Sequence, residues 1–463
     1  MTFWTPTIEG SGVARYIALA DQIETAIQSG ELSAGDKLPT HRKLADALEV
    51  TVGTVTRGYS EAERRGLVSA IVGSGTFVSS QQQPDIQFSH LLPSAANEID
   101  LSLNLPIANQ SAPGIRSVMQ EIAADQNLFL ELMGYQHERG LLRHRQWAVE
   151  WLAPRGIQSS PDNLAITCGG QHAITLSLMA ATRAGDTIAA EGLAYPGLKA
   201  VASQQGLKVV GLPMDGQGVL PDAFASYCKL NHLRAIYLCP SIQNPTNASM
   251  GLARRKAIIK IAIANDVWII EDEIPTNYLA QNPDSFVNLA PQQTFYINSH
   301  SKTVAPGLRV GYLIAPPKLI ESVSASIRAQ CWFAPTINVE IAQRWLDKKE
   351  AKDWLNIQKK DLYKRQELTS EILDGYDIVM TKGSFHVWLS LPEPWRAMEF
   401  QTLLAEKGVR VLSAESFAVG RFPAPQAIRI CISGPSTIGQ LETGLKIIRQ
   451  QLEDGYDARF SVF

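Results

Sequence analysis

The stretch YINSHSKTVAPGLRVGY, residues 296–312, joins an apolar β-type run to a turn-rich segment that carries a lysine, serines and an arginine. Lys302 is flanked by Ser299 and Ser301, and Arg309 follows seven residues later. This spacing can bring a reactive amine and phosphate-binding groups to one place. The stretch therefore predicts a site built around Lys302 where a strand ends.

The segments on either side alternate between β-type runs and helical patterns. The β-type runs are DTIAAE (186–191), AIYLCP (235–240), VWIIEDE (267–273) and TFYINS (294–299), and RRKAIIKIAIAND (254–266) is typical of a helix. This alternation predicts an α/β fold, a parallel-rich sheet with helices on both faces. From about Ala334 the pattern is helical and then strand-like, which predicts a smaller α+β lobe.

Pyridoxal phosphate requires a lysine for a Schiff base, a carboxylate against its pyridine nitrogen, phosphate donors and groups that hold the ring. We predict that Lys302 forms the Schiff base. Asp272, in the buried strand VWIIEDEIP (267–275), can keep the pyridine protonated, whereas Glu273 is less suited to face the ring. The chain thus offers the first two groups.

The remaining groups come from four other motifs. ITCGGQHAITL (166–176) places Gly169, Gly170 and Gln171 between a strand and a helix, where backbone amides and the helix dipole favour a phosphate. Tyr195 can stack on the ring, and Asn244 can donate to the ring hydroxyl. Arg429 in AIRICIS (427–433) can pair with a ligand carboxylate. Together these residues predict a complete cofactor site.

The N-terminal region shows short helices followed by a hairpin signal. A helix fits residues 13–30 and ends at Gly30, and Thr40 and Thr51 can each cap a further helix. The run LVSAIVGSGTFV (67–78) reads as two strands joined at residues 73–75. This order predicts a winged helix-turn-helix.

Such a module would bind DNA through its third helix. That helix is predicted to bury Val55 and Tyr59 on its inner face. Phosphate contacts are expected from the start of the second helix, and base or wing contacts from the third helix and the hairpin. The predicted DNA-binding residues are Thr40, His41, Arg42, Lys43, Thr51, Gly53, Thr54, Arg57, Gly73 and Gly75.

These motifs carry a family resemblance. The runs GELSAGDKLPTHRKLADAL (30–48), TVGTVTRGYSEAERRGL (51–67) and VGSGTFV (72–78) resemble the GntR-type winged helix, although Val52 stands where that family usually has arginine. The later series GGQ, AYPG, QNPTN, EDE, SHSK, PGLRVGY and IRICIS resembles fold-type I aminotransferases. The combination resembles the MocR-type transcriptional regulators.

The resemblance implies a regulator that binds double-stranded operator DNA and holds pyridoxal 5′-phosphate. Its effector would be an amino acid, an amine or a B6 vitamer. It also implies a homodimer in which Tyr135 reaches the partner's phosphate. One departure is Pro275, which stands where aminotransferase-like chains usually have a tyrosine, and whether Tyr278 replaces that phenol is left open.

Domain boundaries follow from composition. Residues 1–78 form the predicted DNA-binding domain, residues 79–98 are a Gln-, Ser- and Pro-rich linker, and residues 99–463 form the cofactor, effector and dimerisation domain. Hydrophobic residues make up 45% and charged residues 19% of the chain, whose net charge is −3. These values predict a globular cytoplasmic protein with no membrane span, whose DNA affinity comes from a local patch.

The five cysteines show no metal or redox spacing, so buried free thiols and no metal site are expected. Three alternatives remain open. The protein could be a working aminotransferase with a DNA-binding head, or its large domain could be a cofactor-free dimerisation scaffold. The N-terminal module could also serve dimerisation or protein docking instead of DNA binding.

Overall fold

The chain forms two compact units, residues 1–89 and 90–463, in a computed structural model. The structure describes residues 4–8, 14–33, 35–65, 67–71, 75–78, 98–106, 112–276 and 284–455. Nearly all of the predicted linker, Gly73 of the predicted hairpin turn and Tyr278 lie outside these residues. No helix within the described ranges is both long and apolar enough to cross a lipid bilayer.

The first unit contains three helices and a hairpin, as predicted. Its elements are α1 (Arg15–Ser29), α2 (His41–Ala47), α3 (Val52–Arg64), β1 (Val68–Ile71) and β2 (Gly75–Val78). Gly30 ends α1 with φ of 80°, and Thr51 caps α3 by accepting a hydrogen bond from the Thr54 N–H over 3.2 Å. Strands β1 and β2 pair antiparallel. The winged helix-turn-helix is confirmed.

The packing of α3 fixes which face it exposes. Val55 and Tyr59 are buried as predicted, and the Tyr59 hydroxyl donates to the Pro39 carbonyl over 2.8 Å. Gly58 lets α1 approach closely, since a Cβ there would lie 2.6 Å from a methyl carbon of Leu19. At the end of α3, Arg65 pairs with Asp21 of α1 at 2.6 Å. These contacts leave the opposite face of α3 toward solvent.

The second unit is built on a seven-stranded mixed sheet. Its strands in spatial order are β4 (Leu164–Thr167), β12 (Gly311–Ile314), β11 (Thr294–Ser299), β10 (Trp268–Asp272), β9 (Leu233–Leu238), β5 (Thr187–Glu191) and β6 (Lys208–Leu212). Only β12 runs antiparallel to its neighbours. Both faces are covered, and all five residues of β10 are buried, which is typical of parallel sheets. The parallel-rich α/β fold is confirmed.

The helices of this unit surround the sheet or extend it. They are α4 (Ala112–Ala124), α5 (Gln126–Met133), α6 (Leu142–Leu152), α7 (Gly170–Ala181), α8 (Pro196–Gln204), α9 (Pro221–Leu230), α10 (Leu252–Ala264), α11 (Phe286–Leu289), α12 (Ile320–Cys331) and α13 (Thr336–Asp347). A short antiparallel pair, β7 (Met214–Asp215) and β8 (Gly218–Val219), precedes α9.

The C-terminal lobe has its own antiparallel sheet, in the order β13 (Ile378–Val379), β14 (His386–Ser390), β17 (Ala427–Cys431) and β16 (Leu412–Ser413). Its helices are α14 (Lys349–Ile372), α15 (Ala397–Glu406) and α16 (Ile438–Asp454). Strand β3 (Ile99–Asp100) pairs in parallel with β15 (Val409–Arg410), so the chain entering this unit first contacts the small lobe. The small α+β lobe is confirmed, but this early strand was not predicted.

One expectation about the cysteines is wrong. All five are free, but only Cys239 and Cys431 are buried. Cys168 and Cys228 are half-buried, and Cys331 is exposed because it ends α12.

Candidate cofactor site and DNA-binding surface

Lys302 lies where β11 ends, in a short 3-10 helix, His300–Lys302. The Ser299 hydroxyl caps this turn by accepting the Ser301 N–H over 3.1 Å, and the Lys302 ammonium donates to the Asn104 carbonyl. Burial, with Arg429 and Arg309 nearby, lowers the pKa of Lys302 to about 8. Near neutral pH, the fraction of Lys302 that is uncharged is therefore larger than the fraction for an exposed lysine. A nucleophilic lysine must be uncharged to react.

Asp272 lies at the end of the neighbouring parallel strand β10 and is only 5% exposed. Its Oδ2 atom accepts the Tyr237 hydroxyl over 2.5 Å, and its Oδ1 atom accepts the Ile274 N–H over 3.0 Å. Burial raises the pKa of Asp272, while these donors oppose the rise. Because parallel strands end at one edge of the sheet, Lys302 and Asp272 face the same crevice.

Gly169 and Gly170 form a turn at the N-terminus of α7 beside Arg309. Gly169 has φ of 78°, and a Cβ there would lie 2.6 Å from Nη2 of Arg309. Arg309 Nη2 donates to the Cys168 carbonyl over 3.2 Å. Glycine is therefore needed both for its backbone conformation and for space. A helix N-terminus, a guanidinium and the nearby serine hydroxyls form a donor set for a phosphate.

The Ser299 and Ser301 hydroxyls lie 2.9 Å apart, and the Ser299 side chain is beside Gly170, where a Cβ would lie 3.8 Å from its own Cβ. Gln171 directs its amide nitrogen to the Gly197 carbonyl over 2.8 Å, which leaves its backbone as the part suited to the phosphate. Its Oε1 atom is buried without a hydrogen-bond partner among the described residues.

Tyr195 precedes α8 and packs closely over Gly197, where a Cβ would lie 2.2 Å from the tyrosine ring. Burial, together with Asp272, raises the pKa of Tyr195 to about 12, so its hydroxyl stays protonated. The positive charges of Arg309 and Arg429 act in the opposite direction and lower the pKa of this hydroxyl. Tyr195 therefore lies at the same crevice, where a ring can stack.

Arg429 extends from β17 of the small lobe and is 5% exposed. It donates to Asn244 Oδ1 over 2.8 Å and to the Ser102 carbonyl over 2.5 Å, and it lies over the Phe417 ring. Because a guanidinium only donates, the oxygen of Asn244 must face it and the amide nitrogen points elsewhere. Arg429 Nε is buried and has no hydrogen-bond partner within the described ranges.

Tyr135 lies apart from this cluster within the chain. It is 85% exposed, and its ring contacts Trp332 and Phe333 edge-on at centroid distances of 5.7 and 6.3 Å. The predicted reach to a partner's phosphate stays a prediction.

The residues that follow Asp272 depart from the usual pattern. Pro275 lies in a 3-10 helix, Ile274–Thr276, so no phenol comes from that position. Instead the Ile274 side chain fills the space beside Gly170, where a Cβ would lie 2.0 Å from its Cδ1 atom. The phenol next to Asp272 belongs to Tyr237, which sequence reasoning missed because a strand tyrosine looks like a core residue.

In the first unit, the second and third helices present the predicted polar residues. Arg42, Lys43 and Thr40 are exposed at the start of α2, and Thr51 and Gly53 are exposed at the start of α3. Thr54 is half-buried, and its hydroxyl lies 3.0 Å from that of Thr51. His41 packs against Tyr59 with ring centroids 5.0 Å apart, so its ring is partly held by the core.

Arg57 is exposed on α3, and its guanidinium lies 3.9 Å from the centre of the Tyr16 ring. Val52, which replaces the usual arginine, is 43% exposed on the same helix. Burial alone would raise the pKa of Glu61, but its hydrogen bonds and ion pairs with Arg64 and Arg65 outweigh this effect and lower the pKa. Residues 52–59, which form the first two turns of α3, contain no acid.

Two further residues, Lys37 and Thr56, lie near the predicted DNA-binding residues but were not predicted from the sequence. Lys37 pairs across to Phe77 of β2, and a Cβ on Gly75 would lie 2.8 Å from its Cε atom. Thr56 is exposed one turn after Val52. Lys37 could have been recognised in the sequence from its position just before α2. Its segment pairs with β2 of the wing hairpin.

Comparisons with known proteins assign a family model to each of the two units. Residues 96–448 match the family model of aminotransferase class I and II, and residues 15–78 match that of bacterial regulatory proteins of the gntR family. The chain is 30% identical, over 97% of its length and 97% of the relative's, to an uncharacterised helix-turn-helix-type transcriptional regulator, YdeF, of Bacillus subtilis (strain 168).

Two further comparisons are with a named transcriptional regulator and with a solved aminotransferase structure. The pyridoxine biosynthesis transcriptional regulator PdxR of Corynebacterium glutamicum is 29% identical over 64% of this chain and 65% of its own. The crystal structure of LysN, an α-aminoadipate aminotransferase of Thermus thermophilus, superposes with a TM-score of 0.70 at 22% identity, covering 79% of this chain and 94% of that one. The latter likeness shows the fold.

The fold and the domain order define a DNA-binding transcriptional regulator with a pyridoxal-phosphate-binding, aminotransferase-like domain. The chain belongs to the aminotransferase class I and II family, and its gntR-type head gives it the organisation of the MocR-type regulators. The crevice fits the cofactor, because the Gly169–Gly170 turn brings the N-terminus of α7 against the Arg309 guanidinium, with the Ser299 and Ser301 hydroxyls nearby, and all of these can donate hydrogen bonds to a phosphate.

Proposed function

We propose that Lys302 attaches the cofactor covalently and that Asp272 binds its pyridine nitrogen. Asn244 donates to the ring hydroxyl with the amide nitrogen that Arg429 leaves available, and Tyr195 stacks on the ring. The phosphate lies between the α7 N-terminus, with backbone amides of Gly169, Gly170 and Gln171, and the side chains of Ser299, Ser301 and Arg309. When bound, the cofactor supplies a carbonyl that condenses with amines and an electron-accepting ring.

The effector is an amine that also carries a carboxylate, in short an amino acid. The observation that carries this proposal is Arg429, a buried guanidinium whose Nε atom has no partner in the described part of the chain and whose charge reaches Lys302. A buried cation of this kind is stabilised by a bidentate carboxylate. An amine without a carboxylate, or a B6 vitamer, would leave the N–H at Arg429 Nε without an acceptor.

Effector binding then changes DNA affinity, which requires unequal binding to two arrangements of the protein. The test is a titration of the cofactor-loaded protein with a panel of amino acids, simple amines and B6 vitamers, followed by the visible absorbance of the bound cofactor. We expect a saturable change with particular amino acids and none with the matching decarboxylated amines. Equal responses to both would contradict the role of Arg429.

Two variants make this test specific. Lys302→Ala removes the covalent attachment and should abolish the regulatory response. Arg429→Gln should weaken the binding of amino acids but not the binding of amines. A Lys302→Ala protein that still responds normally to the same effector would exclude a sensor of this kind.

A second candidate function is transamination, because Lys302, Asp272 and Arg429 converge as an aminotransferase needs. Against it stands the packing of Ile274 beside Gly170 with Pro275 following, so that no phenol reaches the ring hydroxyl from position 275, where aminotransferases usually have one. The same titration separates the two functions. Release of a keto acid with each turnover identifies an aminotransferase, and a stable spectral end point without keto acid identifies a sensor.

The protein acts as a homodimer in the cytoplasm, where its operators are. Support for the dimer comes from α5, whose Phe129, Leu130 and Met133 are exposed at helical spacing just before the exposed Tyr135. Apolar surface of this kind usually marks a protein interface. Multi-angle light scattering should give twice the chain mass for the native protein, and Leu130→Glu should shift it toward the monomer.

A further inference from the structure

Three side chains with soft ligand atoms meet beside the phosphate turn. Cys168 directly precedes Gly169, His172 lies in the first turn of α7, and Cys331 is the last residue of α12. One ligand atom from each lies within 4.8 Å of the other two. Because α7 packs against α12, two helices hold the group in place.

These distances are close to those of a metal centre. In a tetrahedral zinc site the metal lies about 2.3 Å from sulfur and about 2.0–2.1 Å from a histidine nitrogen, so ligand atoms are roughly 3.5–3.8 Å apart. The three side chains therefore need to approach by about an ångström or less. Thiolates and imidazole favour zinc or another soft ion over magnesium or calcium.

The histidine gives a second, independent observation. Its Nδ1 atom accepts the Cys168 N–H over 3.0 Å, while its Nε2 atom is buried without a hydrogen-bond partner in the part of the chain that the structure describes. Buried polar atoms are normally satisfied by protein, water or an ion. The unsatisfied imidazole therefore points to a ligand at this place.

We propose that Cys168, His172 and Cys331 bind one zinc ion, or a similar soft divalent cation, with a fourth position open to water. Binding forms two metal–sulfur bonds and one metal–nitrogen bond, and the two thiol protons pass to solvent. The exposed Cys331 provides the entry path. Three protein ligands with one open position match reactive or exchangeable zinc sites better than closed structural ones.

The ion would lie next to the cofactor. Metal binding at either ring nitrogen removes the hydrogen bond between Cys168 and His172, and the Cys168 carbonyl accepts Arg309 at the phosphate turn. Metal occupancy therefore acts on the segment that leads into Gly169.

The experiment titrates the full-length protein, reduced and stripped of metal, with cobalt(II), which substitutes for zinc and absorbs visibly. We expect one equivalent per chain, a sulfur-to-cobalt charge-transfer band and intense tetrahedral bands, all abolished by added zinc. Cys331→Ser, at an exposed position that tolerates the change, should weaken binding at least tenfold, as should His172→Gln.

The matched control is Cys228→Ser, which removes a half-buried thiol on α9 and should titrate like the wild type. A wild-type protein without the charge-transfer band overturns the proposal. An unchanged titration in Cys331→Ser overturns it equally.

Discussion

The hydroxyl of Tyr237 on β9 donates a 2.5 Å hydrogen bond to the carboxylate of Asp272 on β10. It opposes the effect of burial, which raises the pKa of Asp272. The phenol thereby favours the ionised form of a buried acid, and this is the form that the proposed contact with the cofactor's pyridine nitrogen requires.

Tyr237→Phe should therefore weaken cofactor binding by about tenfold, since a hydrogen bond to a charged group contributes roughly 1.5–3 kcal/mol. The measurement is the dissociation constant of pyridoxal phosphate from the full-length protein. Tyr296→Phe removes another buried strand phenol, one that accepts from Asn298, and should leave cofactor affinity unchanged. Equal losses in both variants would show a general packing effect.

Gly169→Ala should lower cofactor affinity because the added methyl group meets Arg309 at 2.6 Å. A positive φ at a non-glycine residue costs about 1–3 kcal/mol as well. Gly185→Ala is the matched control, since its φ is 90° and its Cβ would meet no atom within 4 Å. Both variants should lose thermal stability, but only Gly169→Ala should lose cofactor affinity, by roughly tenfold or more.

Addition of the cofactor to the apoprotein should depend on pH through Lys302. Since burial lowers the pKa of Lys302 to about 8, the neutral amine increases as the pH rises toward 8 and levels off above it. The rate of addition, followed by stopped-flow absorbance, should rise about tenfold per pH unit below that value and then flatten. A rise that continues to pH ~10 would indicate an unperturbed lysine.

DNA binding should separate two kinds of basic residue. Lys43→Ala should weaken binding to every duplex and reduce the slope of log affinity against log salt by about 1, because it removes one phosphate contact. Arg57→Ala should mainly reduce the preference for operator over scrambled DNA, by roughly tenfold, because its loss removes a base contact.

Fluorescence anisotropy measures both effects, with an operator selected by the wild-type protein from random duplexes. Lys229→Ala, an exposed lysine on α9 of the other unit, is the control and should change neither quantity. If Arg57→Ala lowers affinity for the two duplexes equally, Arg57 contacts phosphate.

Much of the fold could be predicted from the sequence, and so could those residues of the candidate cofactor site that lie in local motifs at a strand end or a helix start. Lys302, Asp272 and Gly169 are of this kind. Tyr237 could not be predicted, since its partner comes from the next strand in space. The pairing of Ile99 with Val409 likewise depends on how distant segments meet.

The cysteine and histidine cluster illustrates the same limit. Cys168 and His172 are close in sequence, but Cys331 comes from a helix that follows β10 and β11 along the chain. Sequence spacing therefore indicated no metal ligands, and only the packing of α7 on α12 brings the third residue near.

Arg429 already has partners in the Asn244 side chain and the Ser102 carbonyl. An effector carboxylate that takes its N–H groups must replace these internal bonds, so much of the energy of the new contact is cancelled. Such competition raises the concentration at which half of the sites are filled. The regulator would then report changes across the range of an abundant metabolite, instead of saturating at trace amounts.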